Sequence, residues 1–386
     1  DLRDIERSVD RVAGHWNDST PFDQEQYAAL QRALAPTRRV RRLLRHEVED
    51  RVEDLIKLTD QQVRALGFLR RQRRALITGG AGTGKTVLAA ERVRQLAGEG
   101  MQVLFLCFNA PLGAKLIEDL DDVESATVGN FHKVARQIVA DAGLLPETGF
   151  DDRTFWSDVL PGLLPDAAQQ LGLTFDAIIV DEGQDFHRNW WTALELLLAD
   201  PDDGFFYVFA DDNQNVYRAD WEAPFDGEPF LLDINCRNTT PIATRVGAVF
   251  DRDEFSLGVD GPAPAFVELS DLRQAPKRLG SVLEKLLGEE HMRPDQIVIL
   301  TDERKLVDGL RGQQIGGHRL VEYGKKGIAV ETVHRFKGLE SDAVLLALGD
   351  VQSTAGRALA YVGMSRARVI LFVLGTAETK AGLSWP

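Results

Sequence analysis

A chain of 386 residues is too long for one ordinary core and suits two or three domains of roughly 100–200 residues each. Its 44% hydrophobic and 27% charged residues exclude a disordered, collagen-like or disulfide-scaffold chain; two cysteines, Cys107 and Cys236, make neither a disulfide framework nor a cysteine-based zinc site, so a reducing cytoplasm is expected. The net charge of −15, from 45 basic against 60 acidic residues, argues globally against a partner that carries phosphates.

That average hides a gradient, because residues 31–74 carry a net +7 and leave −22 to the rest of the chain. No secretory signal opens the sequence, and no apolar run approaches the roughly 20 residues of a membrane span. Asp1, in place of a methionine, points to an upstream part. Residues 1–57 read as a helical segment, with apolar residues at three- and four-residue spacing in 27–34 and 40–55. From Arg74 the pattern changes to short apolar runs alternating with amphipathic helices, at 75–78, 102–107, 177–180, 205–209, 296–300, 327–332, 343–347 and 369–373. Such runs predict an α/β fold of parallel sheets covered on both faces. An irregular stretch at 221–229 divides them into two units, 58–225 and 226–386, and the loop-rich 251–264 is an excursion inside the second.

Gly79-Gly80-Ala81-Gly82-Thr83-Gly84-Lys85-Thr86 has the spacing G-x-x-x-x-G-K-T, between an apolar run and a helix. The glycines let backbone N–H groups wrap phosphates at a helix N-terminus, Lys85 reaches the outer phosphates, and Thr86 holds Mg²⁺. ATP or GTP is therefore the expected ligand. Ninety-six residues beyond Lys85, the run at 177–180 ends in Asp181-Glu182-Gly183-Gln184-Asp185. Carboxylates at a strand's C-terminal end suit the crevice where α/β sheets bind ligands. Asp181 is placed to hold Mg²⁺ through water and Glu182 to act as general base, which favours hydrolysis over a passive switch.

The pentapeptide at 181–185 resembles the second motif of superfamily 1 helicases of the UvrD, Rep and PcrA type, and the family's other motifs follow in order from Leu58 to Arg368. Leu58-Thr59-Asp60-Gln61-Gln62 resembles the Q motif, which implies that Gln62 reads adenine and selects ATP. Leu106-Cys107-Phe108-Asn109-Ala110 and Val128-Gly129-Asn130-Phe131-His132 are similar to motifs Ia and Ib, which touch single-stranded DNA. Residues 210–217 resemble motif III, where Gln214 senses the terminal phosphate. Asn235-Cys236-Arg237-Asn238, residues 330–340 and residues 360–368 resemble motifs IV, V and VI. The resemblance implies two RecA-like P-loop domains behind a short helical N-terminal segment. Arg237 and Arg366 would be arginine fingers, Glu340 a ribose contact, and Phe108, Asn109, Phe131, His132, Tyr217, Thr332 and His334 the nucleic-acid contacts.

Two positions depart from the family. Cys236 stands where a tyrosine commonly stacks on adenine, and Ala219 where a tryptophan stacks on bases; Trp221 either replaces that tryptophan or packs the domain boundary. Large helical insertions do not fit in the fifty residues from Phe131 to Asp181 or the ninety-four from Arg237 to Glu331. The compact motor also resembles the motor half of bacterial nuclease-related-domain helicases, although residues 1–57 contain no nuclease carboxylate-lysine set. The expectation is an ATP hydrolase that translocates along single-stranded DNA, with RNA left open, no membrane, and a nuclease domain or subunit as an open partner in repair or defence. The alternative is a nucleotide-gated regulatory ATPase that binds DNA or protein without unwinding.

Overall fold

The computed structural model describes residues 43–65, 67, 72–147, 153–211, 221–225, 227–250, 255–256 and 258–386; the side chains of 60–65 and 255–256 lie outside that description. The first helix, α1 (Leu44–Ala65), runs straight through the 57/58 division expected from sequence. Thereafter strands and helices alternate: β1 (Arg74–Gly79), α2 (Lys85–Gly98), β2 (Val103–Cys107), α3 (Ala110–Asp119), β3 (Ala126–Asn130), α4 (Phe131–Asp141), α5 (Leu160–Leu171), β4 (Ala177–Asp181), α6 (Arg188–Glu195), β5 (Phe205–Ala210) and β6 (Phe230–Leu232). These strands pair in parallel in the order β3-β2-β4-β5-β1-β6. Because β5 separates β1 from β4, three strand ends meet at one edge: the phosphate loop after β1, Asp181 at the end of β4 and Asp211 after β5. β6 pairs with β1, so the first sheet reaches beyond residue 225.

A second sheet follows. Its elements are β7 (Ile234–Asn235), α7 (Thr240–Gly247), β8 (Phe255–Ser256), β9 (Ala265–Glu268), α8 (Ala275–Glu284), β10 (Ile297–Thr301), α9 (Arg304–Leu310), β11 (Gln314–Ile315), β12 (His318–Val321), β13 (Ile328–Thr332), β14 (Ser341–Ala347), α10 (Thr354–Met364), β15 (Ala367–Gly375) and α11 (Ala377–Gly382). The order is β11-β12-β13-β10-β14-β15-β9, parallel except where β11 meets β12, while β7 and β8 pair apart. All eight apolar runs picked from sequence are strands. The strands β3, β6 and β9 escaped because β3 mixes polar with apolar residues and the apolar runs of β6 and β9 are only three residues long. No helix among the described residues is long and apolar enough to cross a membrane.

Three apolar clusters hold the layers. One lies between the first sheet and α4, α5 and α6, built around Phe131, Trp190 and Phe206. A second runs without a break from Ile77, Phe105 and Leu112 through Val333, Phe336 and Leu339 to Leu346 and Tyr361, so both sheets share it. The third covers the other face of the second sheet and takes in Val48 and Leu55 of α1. The helix before the phosphate loop is thus anchored on the second sheet, a link reinforced by the Leu44 amide donating to Glu290 Oε2 at 3.1 Å.

Neighbouring residues of α1 test this anchoring. Leu55 is 2% exposed and Ile56 50%. Leu55→Ala is expected to lower the unfolding free energy by about 2–5 kcal/mol, and Ile56→Ala by no more than about 0.5 kcal/mol. Denaturant melts of the two variants check it; equal effects would detach α1 from the core.

Candidate nucleotide site between the sheets

The loop after β1 leads directly into α2. Gly82 and Gly84 have φ of 84° and 81°, the left-handed region that a side chain resists. At Gly82 the close approach adds a second reason, since a Cβ would lie 2.3 Å from Asn238 Oδ1. Gly84 is the N-cap of α2 and supplies no side chain, so the first-turn amides remain for a ligand. Lys85 is folded back: its Nζ donates to the carbonyls of Gly79 (2.7 Å) and Gly80 (2.8 Å), and lies 3.4 Å from Asp211 Oδ2. Thr83 caps the Gly80 carbonyl at 2.9 Å. With the lysine in that position the cleft holds only about 20 Å³ of free volume.

The walls come from both sheets. Ala81 to Thr86, Glu182 and Asp211 face Arg237, Leu339, Glu340 and Arg366 across one cleft. Further contacts clamp the loop to the second sheet. The Ala81 amide donates to Tyr361 Oη at 2.9 Å, the Cys236 amide to the Gly82 carbonyl at 3.1 Å, and Asn235 Nδ2 to the Ala81 carbonyl at 3.3 Å. Asn238 extends the clamp by donating to the Ser365 and Ala367 carbonyls at 3.0 and 2.6 Å.

The acidic pair is buried. Asp181 Oδ1 accepts from the Glu182 amide at 3.0 Å, whereas Oδ2 has no hydrogen-bond partner. Burial, aided by the neighbouring Glu182 charge, pushes the Asp181 carboxyl up to about 6 against the pull of Thr86 and Lys85. A buried, orphaned carboxylate oxygen beside the Thr86 hydroxyl fits a divalent cation, so Thr86 and Asp181 are the residues that would hold Mg²⁺. Glu182 sits in the left-handed region (φ 55°), a strained conformation for a residue with a side chain. Burial works to raise its carboxyl, but Lys337, Lys85 and Arg366 outweigh it and keep the group below its ordinary range. Gln184 Nε2 donates to Glu182 Oε2 at 2.6 Å, and the same amide's oxygen accepts from Asp211 N at 3.0 Å.

Lys337, between β13 and β14, has no assigned role in the sequence reading. Its Nζ bonds both oxygens of Asp185 (2.8 and 2.7 Å) and lies 3.7 Å from Glu182 Oε2, so a cation of the second sheet neutralises the acidic motif of the first. The loop carrying it can approach because Gly338 is a glycine: a Cβ there would lie 2.5 Å from Leu112. A lysine's burial in a loop leaves no trace in periodicity, so only its place within the 330–340 motif pointed to it.

The arginines differ. Arg366 is 6% exposed and donates to the carbonyls of Val362 (3.0 Å) and Leu339 (3.4 Å) and to Ser365 Oγ (3.0 Å); burial lowers its pKa. No carboxylate lies within 4.0 Å of it among the described residues. Arg237 instead pairs with Glu340, whose other oxygen is 3.8 Å from Arg368 Nε. Both Glu340 oxygens are therefore engaged by guanidinium groups, and those arginines overcome burial to hold its pKa low. Cys236 is fully buried, 3.6 Å from Thr59 Oγ1, and offers no stacking wall.

A second cavity, about 600 Å³, lies between Phe108 and Asn109 on the first sheet and Thr332, His334 and Lys337 on the second. Asn109 spends its amide on the carbonyls of His334, Arg335 and Lys337, at 3.4, 3.2 and 2.9 Å. Phe131 is corrected from its expected place on a binding surface: it is fully buried and stacked 4.3 Å from Trp190, because α4 turns it into the core. His132 is not among the residues that line this cavity; it is half-buried, and burial lowers its pKa. Trp221 is half-buried and donates to the Gly183 carbonyl at 2.9 Å, the packing alternative of the two readings. Gln214 and Tyr217, and the side chain of Gln62, lie outside the described residues.

Lys337→Met leaves buried carboxylates uncompensated and is expected to lower the unfolding free energy by about 3–5 kcal/mol. Lys57→Met breaks only the exposed pair with Glu53 and is expected to leave the melt unchanged. Thermal or urea unfolding of both variants checks the contrast.

Comparison with known proteins agrees with the order of these parts. The family model described as an AAA domain matches residues 62–220, and the UvrD-like helicase C-terminal domain matches 327–374. No curated protein matches. Solved structures of arterivirus nonstructural protein 10, a helicase, alone and in complex with DNA, are 16% and 15% identical with a TM-score of 0.42 each. The match covers 80% of this chain and 61% and 63% of theirs, so the chain spans less than two thirds of their length. An AAA match over β1 to β5 and a UvrD-like helicase match over β13 to β15, in the order of the motif series, identify the chain as a UvrD-like superfamily 1 helicase motor.

Proposed function

We propose that the chain hydrolyses ATP in the cleft between its sheets and uses the cycle to move along single-stranded DNA. The observation that carries this reading is the convergence, in one cleft, of a phosphate loop, a buried ionised Glu182 and two arginines from the opposite sheet. Phosphoryl transfer needs positioning and charge stabilisation more than covalent chemistry, and these groups supply both.

Loop amides and Lys85 hold the phosphates. Bound Mg²⁺ would supply charge neutralisation on the β- and γ-oxygens. Glu182 accepts a proton from a water whose oxygen bonds to the γ-phosphorus, while the bond from that phosphorus to the β,γ-bridging oxygen breaks and ADP leaves. Gln184 and Lys337 orient Glu182 and keep it unprotonated. Arg366, with a guanidinium held only by neutral oxygens, moves charge onto the transferring phosphoryl, and Arg237 reaches it on exchanging Glu340 for the nucleotide. The strand runs through the cavity between Phe108 and His334. Lys337 lines that cavity and also touches Glu182, so strand binding and hydrolysis share a residue.

A regulatory ATPase that holds DNA without unwinding is the second reading, favoured by the short connection from α4 to β4, whose described residues hold α5 and one π-helical turn at Phe155–Val159. Strand separation on a tailed duplex distinguishes the two.

ATP turnover measured with and without single-stranded DNA tests the proposal. DNA should stimulate the wild type; Glu182→Gln should lower kcat by about 10²–10⁴-fold while retaining nucleotide binding, and Lys85→Ala should lose binding and turnover together. Turnover indifferent to DNA would remove the translocase and leave the ATPase.

A further inference from the structure

Arg237 and Arg366 come from separate segments of the chain, Arg237 after β7 and Arg366 between α10 and β15. One buried side chain joins them. Asn238, 2% exposed, donates from Nδ2 to the carbonyls of Ser365 (3.0 Å) and Ala367 (2.6 Å), the two residues that flank Arg366, and it follows Arg237 directly in the chain. Its Oδ1 accepts from Asn235 Nδ2 at 2.8 Å. Asn235, equally buried, accepts on Oδ1 from the backbone amides of Arg237 (3.2 Å) and Asn238 (3.0 Å), and its Nδ2 also donates to the Ala81 carbonyl of the phosphate loop at 3.3 Å. The loop packs on the same pair: a Cβ at Gly82 would lie 2.3 Å from Asn238 Oδ1 and 2.6 Å from Asn235 Nδ2. Neither asparagine lines the nucleotide cleft.

The contacts at Asn238 call for a carboxamide. Two donors and one acceptor must issue from one short planar group, which Asn supplies and Asp or Ser does not. Turning the amide over would set its oxygen against two carbonyls and its nitrogen against Asn235 Nδ2, so the network admits one orientation. We propose that Asn238, held by Asn235, is a positioning residue that fixes the backbone origins of both arginines at a set distance from the phosphate loop. This role rests on the part given above to Arg237 and Arg366 and deepens it, by naming what sets their geometry. Arg237 leaves Glu340 by turning its side chain while its backbone amide stays on Asn235. Such support matters to the rate, because a displacement of about 1 Å at a reacting centre costs about 10²-fold.

Single-turnover ATP hydrolysis, with single-stranded DNA in every arm and binding of a fluorescent ATP analogue measured beside it, tests this. Asn238→Ala should bind the analogue as wild type does and slow the chemical step about 10²-fold. Asn238→Asp keeps the shape, removes both donors and should slow the step likewise. The rate constant counts only molecules that have bound nucleotide, so partial unfolding lowers the amplitude and leaves the constant. Thr376→Ala controls for stability: it removes the side-chain cap of α11, away from the cleft, and should hydrolyse at the wild-type rate. Added to Arg366→Ala, Asn238→Ala should cost much less than about 10²-fold, because part of its effect passes through the missing guanidinium, whereas independent effects multiply. Both Asn238 variants at the wild-type rate, full multiplication with Arg366→Ala, or loss of analogue binding in both would overturn the positioning role, while a slow Arg366→Ala still upholds the arginines. Arg366→Ala at the wild-type rate, or wild type without turnover, would overturn that reading and the positioning role with it.

Discussion

Burying charge is costly unless each charge finds an opposite one, and the cleft between the sheets gathers buried Asp181, Glu182, Asp211, Lys85, Lys337 and Arg366 from segments far apart in sequence. Neither sheet can balance them alone. The first brings its acids to the ends of β4 and β5 with Lys85 as the one buried lysine nearby; the second brings Lys337 and Arg366. Asp185 and Glu182 both lie within ion-pair distance of Lys337, a residue more than 150 positions away in sequence. The same balance that stabilises the folded chain thus prepares a site for a polyanion, because phosphates offer new partners to Lys85 and Arg366 and a cation offers one to Asp181.

Geometry turns this balance into coupling. Tyr361, Asn235 and the Cys236 amide hold the phosphate loop from the side of the second sheet, and the continuous core through Val333, Phe336 and Leu339 ties the sheets behind it. The loop's contacts therefore reach α10 directly and, through the shared core, the segment between β13 and β14. That segment accepts from Asn109 through three carbonyls and lines the cavity beside Phe108, the contact route by which the proposed function would couple nucleotide to strand.

Much of the arrangement could be read from sequence, for identifiable reasons. Buried parallel strands leave continuous apolar runs, and a phosphate loop needs glycines at fixed offsets, as the left-handed Gly82 and Gly84 show. What escaped depends on approach between distant segments. The pairing of Arg237 with Glu340, the use of Lys337 as counter-ion and the contact of Tyr361 with Ala81 have no local signature. Phe131 misled because an aromatic after an Asn cap reads the same whether helix α4 faces solvent or core. The acidic balance misled more usefully: a net charge averages over the whole chain, whereas Lys85, Arg237 and Arg366 gather at one cleft.

The central claim, that the second sheet completes a catalytic site begun by the first, is tested most directly by single-turnover ATP hydrolysis in Arg366→Ala, with binding of a fluorescent ATP analogue measured alongside. Arg366 lies outside the phosphate loop's own sheet, so a site built by the first sheet alone would not need it. The account requires the chemical step to slow by about 10³–10⁵-fold while the analogue still binds; hydrolysis at the wild-type rate would contradict it.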